Sequence, residues 1–219
     1  HEVAVIMQHG LKRMLERQEN VFYYLTLLNE NYAMPGLTAG TEEQIIKGMY
    51  LCKPGADGNK RVQLLGSGTI FREVIAAADL LKNDWGVDAD LWGCPSFNEL
   101  AREGNDAARW NMLHPSQKQK VSHVEQCIDN TQCPVIAASD YVRLYAEQIR
   151  PFLNRRYVTL GTDGFGRSDT REALRHFFEV DRRWVTIAAL KALADDEVIE
   201  RSVVAEAIAK YGIDINKPN

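Results

Sequence analysis

Short apolar runs and longer stretches with helical spacing alternate along most of the chain. The runs are apolar at nearly every position, whereas the stretches between them repeat apolar residues every three or four positions. This alternation predicts a three-layer α/β/α fold, in which helices cover both faces of a mostly parallel sheet. The predicted strands are 62–65, 87–92, 134–138 and 157–160, and the predicted helices are 69–81, 97–108, 141–149, 170–180, 183–194 and 201–210.

The beginning of the chain carries one helical pattern and one strand pattern. Apolar residues from Val3 to Leu15 recur at helical steps, and the run Val21–Leu28 is typical of a strand buried on both faces of a sheet. One helix and one strand cannot bury their own apolar faces. We therefore predict that residues 1–28 are the tail of a preceding domain and that the chain is a piece of a longer polypeptide.

A polar stretch with glycine and proline follows and predicts a linker over residues 29–40. Residues 41–219 then form the main domain. Thr41 and Gln44 have the spacing of a capping box, which predicts that a short helix begins there.

Composition and charge narrow the function classes. The chain has 219 residues and a net charge of −4, and its basic residues are scattered, which argues against a nucleic-acid-binding surface. The apolar runs are too short to span a bilayer and no signal peptide is evident, so we expect a cytoplasmic protein without membrane contact. The four cysteines, Cys52, Cys94, Cys127 and Cys133, form no metal-binding pattern and are predicted to be buried, reduced thiols.

The segment Gly161–Asp169 is the most informative motif. It follows the predicted strand 157–160, and its three glycines predict a sharp turn before the next helix. Asp169 and Glu172 form an Asp version of a capping box at the start of that helix. Because the turn needs backbone freedom, we expect Gly166→Val to damage folding or domain docking.

Other candidate positions lie at predicted strand ends. Gly66-Ser-Gly68 resembles the start of a dinucleotide fingerprint, but Phe71 replaces the third glycine, so a tight turn without a ligand is the preferred interpretation. Asp140, Asp163 and Asp169 also follow strands, at the edge of a parallel sheet where ligands bind. Turn and capping roles are the preferred interpretation for each of them.

The remaining candidates do not form a catalytic group. No two of the five histidines have zinc-binding spacing, and His176, beside two phenylalanines, is best explained as a structural residue. The segment Arg109–Pro115 combines Arg, Trp and His in a composition that suits either a protein–protein contact or a loop pinned by Trp110.

These motifs carry a family resemblance. Gly161, Asp163, Phe165, Gly166 and Ser168 match the pattern Gly-x-Asp-x-Phe-Gly-x-Ser, which resembles the C-terminal domain of transketolase-like thiamine diphosphate enzymes. A closer resemblance is to the homodimeric, bacterial-type first component of the pyruvate dehydrogenase complex. The stretches that carry it are 2–7, 28–32, 62–68, 109–115, 161–169 and 204–210.

The resemblance implies a parent enzyme that binds thiamine diphosphate and magnesium, decarboxylates pyruvate and passes the acetyl group to a lipoyl domain. It also implies three kinds of partner: N-terminal domains of the same chain, a second subunit, and the other components of the complex. The family's Gly-Asp-Gly…Asn magnesium signature is absent, so no catalytic, cofactor or metal residue is assigned and no cofactor is expected within this chain. The family-motif residues are candidates for an interface: Arg109, Trp110, His114, Gly161, Asp163, Phe165, Gly166 and Ser168.

The expected role is therefore packing and dimerisation rather than catalysis. Two alternatives remain open at this point. The chain could be the C-terminal domain of transketolase or another thiamine enzyme, or it could be a regulatory module that binds nucleotides or acyl-CoA thioesters at the glycine turns.

Overall fold

A computed structural model describes residues 1–33, 36–128 and 132–218. Met34 and Pro35 of the predicted linker and Asn219 at the end of the predicted main domain lie outside the described residues. Nine α-helices and five strands occur in the described part of the chain. In chain order they are α1 Glu2–Leu11, α2 Glu42–Ile46, β1 Tyr50–Lys53, β2 Arg61–Gly66, α3 Ile70–Trp85, β3 Asp88–Gly93, α4 Phe97–Leu113, α5 His123–Ile128, β4 Val135–Ala138, α6 Arg143–Glu147, β5 Tyr157–Leu160, α7 Arg171–Phe177, α8 Arg182–Asp195 and α9 Arg201–Lys210. One π-helical turn, Lys12–Glu16, extends α1, and a 3₁₀ turn, Arg150–Phe152, follows α6.

The five strands form one sheet in the order β1-β3-β2-β4-β5. Strands β3, β2, β4 and β5 are parallel, and β1 is antiparallel to β3 at the edge. This mostly parallel sheet between helices confirms the predicted fold class. The alternation of strands and helices predicts a parallel sheet, because two parallel neighbouring strands need a crossover connection, which is usually a helix.

Two apolar cores cover the two faces of the sheet. Leu64 and Ile136 face one core together with residues of α3, α8 and α9, whereas Leu65 and Ala137 face the other core with residues of α4 and α5. Successive side chains of a strand point to opposite faces, so the uninterrupted apolar runs of β2 and β4 supply both cores.

A buried polar network spans β2 and β3. The Asp90 carboxylate accepts hydrogen bonds from Arg61 Nη2 at 2.6 Å, from Gly55 N at 2.8 Å and from the Gln63 side chain, whose oxygen in turn accepts a hydrogen bond from Trp92 Nε1 at 2.6 Å. These partners satisfy a carboxylate that is only 3% exposed.

Val21–Leu28 does not form a strand within this chain, because no strand in the described part of the chain pairs with its backbone. Its pairing with the sheet of a preceding domain stays a prediction. Other sequence predictions are wrong in detail. The helix after the glycine turn is capped by Thr170, whose hydroxyl accepts a hydrogen bond from Ala173 N, and not by Asp169. Thr41 does precede α2, but its hydroxyl donates to Thr38 O instead of forming a capping box. The sequence reading also missed strand β1 and helix α5.

Candidate functional site

Three turns meet at the carboxyl edge of the parallel strands. They follow β2, β4 and β5 and contain Gly66–Gly68, Ser139–Tyr141 and Gly161–Ser168. Strand β3 lies on one side of β2 in the sheet and strand β4 on its other side, so the strand order reverses between β2 and β4. Crevices at such a switch point are the usual ligand sites of open α/β sheets.

The glycine turn after β5 is fastened to the turn after β4. Asp163 accepts hydrogen bonds from Arg143 N at 2.9 Å and from Arg143 Nε at 2.6 Å, and these bonds lower the pKa of its carboxyl group. Thr162 N donates to Tyr141 O at 2.8 Å. Asp163 therefore has the turn-stabilising role that the sequence favoured for it, and Asp169 has a similar local role through Thr170 N.

The structural need for glycine in this turn differs from the prediction. A Cβ at Gly161 would lie 2.6 Å from Tyr141 O, and Gly164 has a left-handed φ of +83°. Gly166 has neither property, because no atom lies within 4 Å of a Cβ placed there. The physical reason given for damage by Gly166→Val is therefore wrong, and the constraint lies at Gly161 and Gly164 instead.

A cavity of about 340 Å³ lies between these turns, α7 and residues 28–30 at the start of the predicted linker. Its walls are mainly apolar, with charged groups placed among them. The lining residues are Leu28, Asn29, Glu30, Thr69, Ile70, Asp140, Thr162, Gly164, Phe165, Gly166, Arg167, Arg171, Leu174, Arg175, Phe178 and Val180.

Asp140 is the exceptional residue in this cavity. Its Oδ1 atom is buried and has no hydrogen-bond partner among the described residues, and burial raises the pKa of its carboxyl group. Gly68 is close to the same atom, since a Cβ there would lie 3.7 Å from Asp140 Oδ1. A turn or capping role, the favoured interpretation from the sequence, does not account for this oxygen.

An ion-pair network lies behind the cavity. Glu73 of α3 is 6% exposed and accepts from Arg182 Nε at 2.9 Å, and Arg175 Nη1 lies 3.5 Å from it. Burial raises the pKa of Glu73, but hydrogen bonds and charge from Arg182, with the charge of Arg175, outweigh it and leave the pKa below its ordinary value of 4.5. Arg175 also contacts Glu30 at 2.7 Å.

Glu30 ties the first part of the chain to the main body. Besides Arg175, its carboxylate pairs with Arg72 at 3.0 Å and Arg171 at 3.6 Å. Arg72 also lies 4.5 Å from the ring centre of Tyr32. The beginning of the predicted linker, at Glu30 and Tyr32, is therefore anchored to α3 and α7.

The sequence did not identify this network. One signal was available, since Glu73 occupies a position on α3 between the inward-facing Ile70, Val74 and Ala77. A charged residue on the buried side of an amphipathic helix requires a partner. Its partners, Arg175 and Arg182, are more than 100 residues away along the chain, so only the fold could reveal them.

Comparison with protein families decides the classification. Residues 48–181 match the family model of the transketolase-like TK C-terminal domain. The chain belongs to this family. Residues 1–35 match the model of the pyruvate dehydrogenase E1 component middle domain.

Relatives of the transketolase-like C-terminal domain support the same classification. The chain is 66% identical over its whole length to the pyruvate dehydrogenase E1 component of Cupriavidus necator and 58% identical to that of Pseudomonas aeruginosa. It spans 25% of the length of each of these relatives. Transketolase from Pichia stipitis shares the fold, with a TM-score of 0.50 and 14% identity over 75% of this chain and 21% of that one.

The second family motif of this transketolase-like domain lies at the end of α4. The ring of Trp110 stacks on His114 with centroids 3.5 Å apart, and Lys120 Nζ lies 4.0 Å from the Trp110 ring. Arg109 is exposed beside them. Among the described residues, no hydrogen bond, ion pair or ring contact joins this motif to Gly161–Ser168, so the structure does not bring the two sets of candidate residues together.

The other titratable candidates have structural contacts. His176 Nδ1 lies 3.3 Å from Asp181 Oδ2, and the buried His123 donates from Nε2 to Met49 O at 3.0 Å. Cys94 is buried and Cys127 half-buried, and burial raises the pKa of the Cys127 thiol to about 11. Within residues 1–33, 36–128 and 132–218, no group of three His, Cys, Asp or Glu side chains could hold a metal ion. No helix in these ranges has the length and apolar character needed to cross a membrane.

Proposed function

We propose that this chain is the C-terminal part of a thiamine diphosphate-dependent pyruvate dehydrogenase E1 component and that it serves as a packing and dimerisation domain. The parent protein would decarboxylate pyruvate and transfer the acetyl group to a lipoyl domain, in the cytoplasm. The observation that carries this proposal is the 66% identity to an E1 component over the whole chain. Transketolase is less well supported, because the solved transketolase with the same fold is only 14% identical.

Catalysis is assigned to parts of the parent outside this chain. Thiamine diphosphate would supply the carbanion-stabilising chemistry, with magnesium holding its diphosphate. Two observations support this assignment: the sequence lacks the Gly-Asp-Gly…Asn signature, and the described residues contain no group of three His, Cys, Asp or Glu side chains that could hold a metal ion. We therefore propose that no residue of this chain takes part in a catalytic step.

The exposed apolar side chains support a packing role. Phe22 is 86% exposed, Tyr24 85% and Leu27 69%, and all three lie in the run of residues 21–28, whose sequence predicts a buried strand. Phe165 in the glycine turn is 95% exposed. Removing such side chains from water stabilises the contact with a neighbouring domain or subunit. We propose that residues 21–28 complete the sheet of the preceding domain and that Phe165 and the Arg109–His114 motif contact other parts of the E1 dimer or the complex.

The activity test compares two substrates in the whole parent protein. We expect turnover with pyruvate and an artificial electron acceptor in the presence of thiamine diphosphate and magnesium. Turnover with ketose phosphates and none with pyruvate would instead identify a transketolase and contradict the proposal.

The packing role has its own test in the same protein. Phe165→Ala is expected to weaken subunit association or domain docking, measured by analytical ultracentrifugation, because it deletes an exposed apolar contact. Ile215→Ala is the matched control, since Ile215 is also exposed (77%) but lies outside both family motifs. Equal association of both variants and the wild type would exclude Phe165 from an interface.

A further inference from the structure

Residues 109–121, at the end of α4 and in the loop after it, form an exposed surface of one charge sign, called here the α4-end surface. It contains the cations Arg109, Lys118 and Lys120 and no carboxylate. Within the described ranges none of these three cations forms an ion pair. The chain as a whole carries a net charge of −4, so this surface is a local positive region on an acidic chain.

Contacts within the chain fix the shape of this surface although it is exposed. Asn111 Oδ1 accepts a hydrogen bond from Lys120 N at 2.7 Å, and Asn111 Nδ2 donates to Lys120 O at 2.9 Å. Lys120 Nζ also lies 4.0 Å from the centre of the Trp110 ring, which stacks on His114. These contacts close the loop 114–120 onto the last turns of α4. A surface that is already ordered loses less conformational entropy when a partner binds.

Apolar side chains are exposed among the cations. Met112 is 70% exposed, Leu113 50% and Val121 49%, and none of them belongs to either core of the sheet. Exposed apolar side chains that are surrounded by charged residues are typical of protein docking sites. A nucleic acid would offer phosphates to the cations but no apolar side chains to these residues, so the composition favours a protein partner.

The α4-end surface lies far from the junction with the rest of the proposed parent. Residues 1–35 match the E1 middle domain, and they contact the carboxyl-edge turns through Thr26, which bonds to Tyr141, and through Glu30. Helix α4 also begins at that edge, after β3, but its 17 residues at about 1.5 Å each place its last turn roughly 25 Å away. A two-fold contact of this surface with its own copy would bring like charges together. These observations favour a partner on a different kind of chain.

We propose, on the basis of the proposed function, that the α4-end surface is a docking site for an acidic segment of another component of the complex. Carboxylates of that segment contact the three cations, and one of its apolar side chains packs on Met112 and Leu113. Charge complementarity of this kind speeds association and makes binding sensitive to salt.

The first test places a photoreactive side chain on this surface of the whole parent protein. Met112 is replaced by p-benzoylphenylalanine, the protein is irradiated with the other purified components of the complex, and the crosslinked peptide is identified by mass spectrometry. We expect a crosslink to a segment of net negative charge in one of those components. The same replacement at Ile215, which is also exposed (77%), is the matched control and should not reach that segment.

Three outcomes of the crosslinking would overturn the proposal. They are crosslinks only within E1, either to its earlier domains or to a second copy, a crosslink to a neutral or basic segment, and no crosslink. Crosslinking is read without pyruvate turnover, so its failure is distinguishable from a failure of the proposed activity.

The second test reverses single charges in the whole parent protein. Arg109→Glu and Lys118→Glu should each weaken binding to the crosslinked component by about fivefold or more at low salt, with a smaller loss at high salt. Arg183→Glu is the matched control, because Arg183 is also exposed and forms no ion pair in the described part of the chain, and it should change the affinity by less than about twofold.

Biolayer interferometry measures these affinities, and either reversal alone decides the question if the other variant fails to fold. Equal losses for Arg109→Glu and Arg183→Glu would overturn the proposal. So would binding of a double-stranded DNA oligonucleotide that Arg109→Glu abolishes, because it would identify a nucleic-acid site.

Discussion

Two runs that contain consecutive apolar residues have opposite environments in this molecule. Strand β2 contains Leu64 and Leu65, both fully buried between the two helix layers. The run Val21–Leu28 is more strongly apolar, yet Phe22 and Tyr24 are more than four-fifths exposed. The difference lies in their neighbours, because β2 pairs with β3 and β4 along its length whereas Val21–Leu28 pairs with no strand in the described chain.

The comparison shows that an apolar pattern predicts that a segment is buried but does not predict which surface buries it. Polar contacts nevertheless hold the exposed run in place at both ends. Tyr23 OH contacts His9 Nδ1 at 3.0 Å and Arg13 Nη1 at 3.2 Å, and Glu30 pairs with three arginines beyond the run. The run is thus held to the first helical segment at one end and to the main domain at the other, while its apolar side chains remain available for another sheet.

The largest expected difference is between the stability losses caused by one substitution in β2 and one in the run 21–28. Leu65→Ala should lower the free energy of unfolding of this chain by about 2–5 kcal/mol, because it opens a cavity in a closed core. Phe22→Ala should change it by less than about 0.5 kcal/mol, since the ring is already in water. Urea denaturation of both variants measures this, and equal losses would contradict the assignment of Phe22 to an unburied surface.

The carboxyl-edge turn allows a similar contrast between two glycines. Gly161→Ala should cost about 1–3 kcal/mol of stability, because its Cβ would meet backbone atoms of Tyr141 and Arg143 at less than 3 Å. Gly166→Ala should be within about 0.5 kcal/mol of the wild type, since its surroundings are open. Thermal unfolding of the pair is the measurement, and the reverse order would restore the sequence-based expectation for Gly166.

The ion-pair network allows a comparison between Glu73 in the main domain and Glu30 at the start of the predicted linker. Glu73→Gln should lower global stability by about 1–3 kcal/mol at neutral pH, because Arg175 and Arg182 lose a buried partner. The folded-state pKa of Glu73 lies below its ordinary value of 4.5, so its contribution is present above that pH and is lost as the pH falls through the folded-state pKa. The gap between wild type and variant, measured by urea denaturation, should therefore narrow on acidification. A gap that widens in acid would contradict the depressed pKa.

Glu30→Gln should act locally instead. It should speed amide hydrogen exchange in residues 29–33 while the global unfolding midpoint moves by less than the Glu73→Gln shift, because side-chain ion pairs connect Glu30 to the main domain. Equal global losses for Glu30→Gln and Glu73→Gln would show that the segment and the body unfold as one unit.

The smallest effect is expected at the surface of the glycine turn. Arg143→Gln should cost at most about 1 kcal/mol, because both Arg143 and Asp163 are roughly half exposed to water. The urea midpoint of this variant should also shift less in high salt, which screens the pair in the wild type. A loss as large as that of Leu65→Ala would mean that the turn is part of the core.

The alternating strands and helices of the fold could be predicted from the sequence, but strand β1 at the edge of the sheet could not. Strands β2 to β5 and their crossover helices follow from local apolar spacing, which is a property of neighbouring residues. Strand β1 could not be predicted, because Tyr50–Lys53 becomes a strand only through pairing with β3 some 40 residues later. At the candidate site the sequence placed Asp140 at the correct edge. It could not show that one oxygen of Asp140 lacks a partner, because that depends on the packing of Gly68 and the cavity walls.

Backbone hydrogen exchange in residues 21–28 tests the central claim most directly. The account predicts rapid exchange in this 219-residue chain, where no described strand pairs with the run, and strong protection in the whole parent protein, where we propose that the run completes a sheet. Slow exchange in the chain alone would contradict the claim, and so would equally rapid exchange in the whole protein.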